Sequence, residues 1–153
     1  MDPASIPLHE LLPHGPGAIL IERLVAYDPK KSVATVEVRR DSKFFARTGI
    51  PAWVGIEYMA QTIAAHVGFE ARLRGAVPAI GFLLGTRSYE CTAAEFPLGA
   101  RLSISVEALF KETGFGAFAC SIEDDAPLAT AIVNTYQPRD DEIALIRARM
   151  ARC

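Results

Sequence analysis

The segment from Ala52 to Gly75, AWVGIEYMAQTIAAHVGFEARLRG, constrains this chain more than any other. Its Ala, Met, Gln and Leu content favours helix for upwards of about five turns. Pro51 suits a first helical position and Gly75 a C-terminal stop. The apolar residues Trp53, Val54, Ile56, Met59, Ala60, Ile63, Ala64, Val67 and Phe69 do not form a narrow stripe; they cover most of the circumference. A helix of that kind has too little polar face to lie on a surface, so other elements must enclose it.

The flanking sequence supplies strands. AILIERLVAYD (Ala18 to Asp28) and SVATVEVRR (Ser32 to Arg40) read as a β-hairpin, with Asp28, Pro29, Lys30 and Lys31 as the turn and Val33, Val36 and Val38 loosely marking a half-buried strand. Beyond Pro78 come AIGFLLGTRSYEC, RLSISVEALFKE with alternation at Leu102, Ile104 and Val106, FGAFACSIE and ATAIVNTYQ. Gly99, Gly114 and the stretch from Asp124 to Pro127 separate them. At the ends, IPLHELL (Ile6 to Leu12) predicts a short helical turn. RDDEIALIRARMARC predicts a short helix with Asp140 and Asp141 at its start, Arg147, Arg149 and Arg152 near its end, and Ile143, Ile146 and Met150 on one docking face. With no repeat and no linker, residues 1–153 form one domain in this reading. A hairpin, one long buried helix and then antiparallel strands make an α+β arrangement, an antiparallel sheet curled round a central helix, which describes a hotdog fold.

Composition excludes several functions. A formal net charge of −2 and a pI near 5.9 lack the basic excess that binding to a phosphate backbone requires. MDPASIPLHELLPHG lacks the basic start and apolar run of a secretory signal, and no apolar stretch is long enough to span a bilayer, so a cytoplasmic protein without membrane insertion is expected. Cys91, Cys120 and Cys153 are widely spaced, as expected of reduced thiols. His9, His14 and His66 form no ligand cluster, so no metal is expected.

Four pieces occur in an order that resembles the 3-hydroxyacyl acyl-carrier-protein dehydratases. They are LLPHGPGAILIERL (Leu11 to Leu24), the pair Phe44 and Phe45, PAWVGIEYMAQ (Pro51 to Gln61) and FPLGARL (Phe96 to Leu102). They match that family's LLPH-rich opening, its aromatic pair, its P-x-x-x-x-x-E-x-M-A-Q helix start and its later PGD-like turn, over most of residues 8–137. IPAWVGIEYMAQ together with IGFLLGTRSYEC looks like the divergent dehydratase-like proteins associated with bacterial aryl polyene biosynthesis.

The resemblance implies elimination of water from a 3-hydroxyacyl thioester, which needs a base for the C2 proton, an acid for the leaving hydroxyl and a positive dipole at the thioester oxygen. In the family the base is a histidine of a GHFP loop, the acid is the carboxylate on the central helix, and the dipole comes from N–H groups at that helix's start. Glu57 occupies the carboxylate position. Trp53, Val54, Ile56 and Met59 are expected to enclose it and favour its protonated form. Gln61, at i+4, is placed either to orient Glu57 or to lie on the surface as a plain helix amide.

Between Phe45 and Pro51 the chain has only ARTGI, so the family's histidine-bearing loop is missing. Ala52 replaces the glycine that usually opens the helix, with its backbone N–H retained. His14, from the LPH piece, is the remaining candidate base, set against a packed or hydrogen-bonded histidine. His66 follows Glu57 by nine residues, about 180° round the helix, and is expected to be structural. Trp53, Phe44 and Phe45 suit either an acyl tunnel or plain core. Arg87, Arg101 and Lys111 suit either a carrier's phosphopantetheine or solvated strand ends.

Three functions follow from the resemblance. The chain is itself a dehydratase of carrier-bound acyl thioesters, or a half-site partner of a second dehydratase-like chain that supplies the histidine, or, least supported, a hotdog thioesterase. All three imply a dimer, homomeric or heteromeric. No cofactor is implied beyond the phosphopantetheine of an acyl carrier protein that presents the substrate.

Overall fold

A computed structural model describes residues 1–76, 82–112 and 114–152. Among the described residues, eight strands and two α-helices follow one another: β1 (Arg23–Tyr27), β2 (Lys31–Glu37), β3 (Gly49–Pro51), α1 (Val54–Leu73), β4 (Phe82–Cys91), β5 (Glu95–Pro97), β6 (Arg101–Glu112), β7 (Phe115–Glu123), β8 (Pro127–Tyr136) and α2 (Asp140–Met150). Six strands form one antiparallel sheet in the order β1-β2-β6-β7-β8-β4; β3 and β5 pair separately. The large sheet wraps α1, the hotdog arrangement predicted. Of the predicted strand that opens at Ala79, residues 79–81 lie outside the described residues, as does Cys153.

Alternation along the strands puts one face of the sheet against the helix. Leu102, Ile104 and Val106 of β6 are buried, with Phe118, Cys120 and Ile122 of β7 and Ala129, Ala131 and Val133 of β8. They meet Val54, Tyr58, Met59, Ile63 and Phe69 of α1, all buried. Burying each larger side chain of this set contributes roughly 1.5–3 kcal/mol. Burial also pushes the Cys120 thiol up to about 12, so it packs as an inert hydrophobe. In β2 the inward residues are Ser32, Ala34 and Val36, followed by Val38 just beyond the strand. Val33 is therefore on the other face, because the two-residue period admits Val36 and Val38 together but not Val33 with them.

Asp28 closes the first hairpin by accepting the N–H groups of Lys30 and Lys31 at 2.8 and 2.9 Å. The helix starts later than Pro51. Ile50 pairs with Phe96 and Pro51 with Glu95, and the Ala52 N–H donates to Ala94 O at 3.0 Å, so the short ladder holds the backbone extended until Trp53 caps α1. At the other end Gly75 takes φ +71° after the last turn, as a helix stop requires. The helical turn expected over Ile6 to Leu12 forms as a 3-10 turn at Leu8–Glu10, with further 3-10 turns at Pro3–Ser5 and Pro16–Ala18. Proline at positions 3, 7, 13 and 16 interrupts any longer helix there. The apolar side of α2 is only partly covered: Ile143 and Ile146 are half-buried, while Leu145 and Met150 are 56% and 70% exposed.

Candidate active site

A cleft of about 350 Å³ runs along one side of α1, between the helix and the ends of β6, β7 and β8. Pro13, His14 and Glu57 line one part of it. Ala60, Ala64 and Val67 continue along the helix, and Lys111, Phe115, Phe118 and Tyr136 come from the sheet. The spacing i, i+3, i+7, i+10 places Glu57, Ala60, Ala64 and Val67 on one side, and the small Ala60 and Ala64 leave room beside it.

Glu57 lies in the first turn of α1. Gln61 Nε2 donates to Glu57 Oε1 at 3.0 Å, and His14 Nε2 lies 3.9 Å from the same oxygen. Gln61 itself is buried, not a surface amide. Its Oε1 accepts the Leu20 and Ile21 N–H groups at 2.8 and 3.4 Å, and its Nε2 also donates to Ala18 O at 2.8 Å. One amide thus ties the segment before β1 to the helix and holds the carboxylate. His14 reaches the cleft from the loop after the second 3-10 turn, and its Nδ1 is buried with no hydrogen-bond partner among the described residues.

The enclosure expected for Glu57 is absent: its side chain is 46% exposed. Of the residues expected to cover it, Val54 and Met59 turn into the core. Trp53 precedes the first turn and faces outward, 60% exposed, its ring edge-on to Phe44 at 5.3 Å. Phe44 is itself exposed, whereas Phe45 packs against the core. Ala52, Trp53, Phe45 and Gln61 do not line the cleft, although Ala52 and Trp53 form the turn from which α1 starts.

The segment 46–50 is a tight turn, with Ala46 N–H donating to Gly49 O at 2.9 Å and Thr48 Oγ1 donating to Glu95 at 2.6 Å. Phe44 and Arg47 both adopt positive φ, 68° and 57°, so the backbone is strained just before this shortened loop and within it. It holds no acid or base near Glu57 among the described residues.

His66 points away from Glu57, as expected, and is fully buried. Its Nδ1 is 2.7 Å from Ser32 Oγ and its Nε2 is 3.3 Å from Lys111 Nζ, which also donates to Glu70 at 2.8 Å. An ammonium has only donors, so Nε2 accepts and the Nδ1 proton goes to Ser32. Burial first, and the Lys111 charge second, pull the His66 pKa down to about 4. Lys111, read from the sequence as a solvated strand end or a carrier contact, is therefore fixed at the cleft's far end. Glu70, its partner, lies thirteen residues along α1 from Glu57, about 20 Å away. Nothing in the local sequence marks Lys111, since its partners are more than forty positions away. Arg87 and Arg101 are exposed and do not reach the cleft.

A family model for the ApeP-like proteins, described as ApeP dehydratase, matches residues 6–146. The chain belongs to the ApeP-like dehydratase family. Its fold superposes on a chain of the dehydratase heterocomplex ApeI:P from Xenorhabdus doucetiae with a TM-score of 0.85, at 30% identity over 92% of this chain and 97% of that one. A hypothetical thioesterase from Streptococcus pneumoniae TIGR4, solved with coenzyme A, gives a TM-score of 0.58 at 14% identity, over 77% of this chain and 84% of that chain. AziG of S. sahachiroi gives 0.61 at 15% identity, covering 78% and 91%. Those two likenesses establish the hotdog fold and nothing finer. No curated protein sequence matches this one. Membership of the ApeP-like dehydratases agrees with the resemblance drawn from the four sequence pieces. Among the described residues no helix is long and apolar enough to cross a membrane.

Proposed function

We propose that this chain is a subunit of a heteromeric dehydratase that converts 3-hydroxyacyl thioesters, presented on an acyl carrier protein, to 2-enoyl thioesters in a polyene-forming pathway. The observation that carries this is Glu57, held by Gln61 at the mouth of the helix-side cleft in a chain whose shortened 46–50 turn has no histidine. Elimination needs an acid and a base. Glu57 is the acid that protonates the leaving C3 hydroxyl, and a histidine of the second subunit is the base that takes the C2 proton. The N–H groups of Trp53 and Val54 have no hydrogen-bond partner among the described residues, and these free donors at the helix start receive the thioester oxygen.

Two further features support a second subunit. Strand β4 ends the sheet, and an open edge is a template for pairing with another chain. Glu57 is also half-exposed, so a partner over the cleft would exclude the water that now reaches it. The similarity to a chain of the ApeI:P dehydratase heterocomplex points the same way.

The test is dehydration of a 3-hydroxyacyl thioester on a phosphopantetheinylated carrier, followed by ultraviolet absorbance of the conjugated product and by mass spectrometry. Turnover is expected when this chain is combined with a histidine-bearing dehydratase-like subunit, and is expected to vanish with Glu57→Gln in this chain. Full activity of that mixture would overturn the assignment.

A further inference from the structure

The peptide bond joining Ala52 to Trp53 is clamped by a residue that lines no part of the cleft. Its carbonyl accepts the Gly55 N–H at 3.0 Å and the Tyr89 hydroxyl at 2.5 Å. A trans peptide is planar, and its N–H points opposite to its C=O. Holding the Ala52 carbonyl inward therefore aims the Trp53 N–H outward at the helix mouth. The Ala52 N–H is fixed as well, by Ala94 O at 3.0 Å, so this residue is tied through both of its backbone groups.

The neighbouring sequence is adapted to this contact at two places. Tyr89 lies on β4 beside Ser88, which adopts a φ of 53° where the pairing with β8 is irregular between Arg87 and Glu90. A left-handed serine costs on the order of 1–2 kcal/mol. The irregularity re-aims a side chain of the edge strand beneath the helix start. Gly55 supplies the room. A Cβ there would lie 2.3 Å from the Tyr89 hydroxyl, with Ile122 and Phe96 at 3.0 and 3.1 Å. Burial raises the Tyr89 pKa, which keeps the phenol a proton donor.

We propose that Tyr89 is a positioning residue of the dehydratase: its hydroxyl sets the Ala52–Trp53 peptide so that the Trp53 N–H donates to the substrate's thioester oxygen. Removal of the C2 proton pushes charge onto that oxygen, and a donor already aimed there needs no reorganisation as the charge develops. The inference rests on the reading of the helix start given under Proposed function.

The test compares wild type with Tyr89→Phe in the assembled two-subunit dehydratase, with thermal unfolding as a check of folding. Loss of one oxyanion donor costs roughly 10²–10³-fold in kcat, and misaiming it is expected to cost about 10–100-fold with KM little changed. Independently of turnover, the infrared carbonyl stretch of a bound, carbonyl-labelled 2-enoyl thioester should lie below its solution value in wild type and move back towards it in Tyr89→Phe. Unchanged kcat and an unchanged stretch in folded Tyr89→Phe overturn the inference, as does a rise in KM alone. If phenylalanine is not accommodated, Gly55→Ala, whose methyl displaces the hydroxyl, is put to the same two measurements. Glu57→Gln separates the two levels of argument. Its inactivity beside a fully active Tyr89→Phe refutes the Tyr89 role only. Its full activity refutes the proposed acid, and the infrared shift then decides the Tyr89 role by itself.

Discussion

His14 Nε2 stands 3.9 Å from Glu57 Oε1, the oxygen that also takes the Gln61 amide proton at 3.0 Å. Two groups 47 positions apart in sequence thus converge on one carboxylate oxygen, 57 being 43 positions after 14 and four before 61. Gln61 keeps that oxygen's orientation, and His14 forms the cleft wall beside it.

Glu57→Gln preserves shape and is not expected to disturb folding, since the side chain is half-exposed. It removes the transferable proton, so turnover of the assembled dehydratase should drop by about 10²–10⁴-fold. His14→Ala should fold normally and lower the rate no more than about tenfold, the effect of a neighbour and not of the base. Steady-state kinetics on both variants decide between these roles: losses of equal size would make His14 the base.

Gln61→Leu should be felt in stability before activity is considered. It strips the buried Ile21 N–H and the half-buried Leu20 N–H of their acceptor and the Ala18 carbonyl of its donor. Each buried group left unsatisfied costs about 1–3 kcal/mol, so roughly 2–5 kcal/mol should be lost in a urea titration. A loss under about 0.5 kcal/mol, typical of exposed substitutions, would contradict the bonding described.

What the sequence made legible was periodic, and what it hid was non-local. The enclosed helix and the strands of the large sheet follow from composition and alternation, as at Leu102, Ile104 and Val106. The pairing of Ile50 with Phe96 could not be seen, because three-residue strands carry no period and the partners are 46 positions apart. That pairing keeps Pro51 in a strand, so α1 begins at Val54. Gln61 was legible as a neighbour of Glu57, but not as the anchor of Leu20 and Ile21, forty-one and forty positions away. Tyr89 was hidden by the irregular register at Ser88, which breaks the alternation from which side-chain direction is read.

His66 predicts an acid-sensitive core. Lys111 faces it from β6, Glu70 from α1, and the Asp28 charge acts on it from the β1–β2 turn. Its folded pKa of about 4 lies below the ordinary 6.5. As pH falls through about 6.5 the unfolded chain takes up a proton that the folded chain refuses. Stability should therefore be complete above pH 6.5 and decline down to about pH 4, by roughly 3 kcal/mol at most. Glu70 works in the same direction further down. Burial raises its pKa, but the Lys111 hydrogen bond and charge outweigh that and lower it, so its contribution is lost as pH falls through the lowered value. Urea unfolding of wild type and His66→Gln between pH 7 and 4 tests the assignment: the variant's curve should be flatter, and parallel curves would exclude His66 as the source.

Gly68→Ala tests whether the N-terminal segment helps build the cleft. A Cβ at Gly68 would sit 2.0 Å from the Leu11 carbonyl oxygen and 2.9 Å from its carbon, and backbone cannot yield as a side-chain tip can. The helix is held at Gln61 and across the sheet, so the segment from Leu8 to His14 must move instead. Leu8, Leu11 and Leu12 are buried there, and Glu10 bonds Arg72 at 2.7 Å, so displacement sacrifices real packing. Overpacking of this kind costs about 1–3 kcal/mol. Because Pro13 and His14 form the cleft wall beside Glu57, the same shift should open that wall. Hydrogen exchange should quicken at Leu11 and Leu12, whose N–H groups donate to Leu8 O, while the β6–β7 ladder keeps its protection. Equal acceleration throughout would mean global unfolding, and no change at all would mean that the segment does not rest on Gly68.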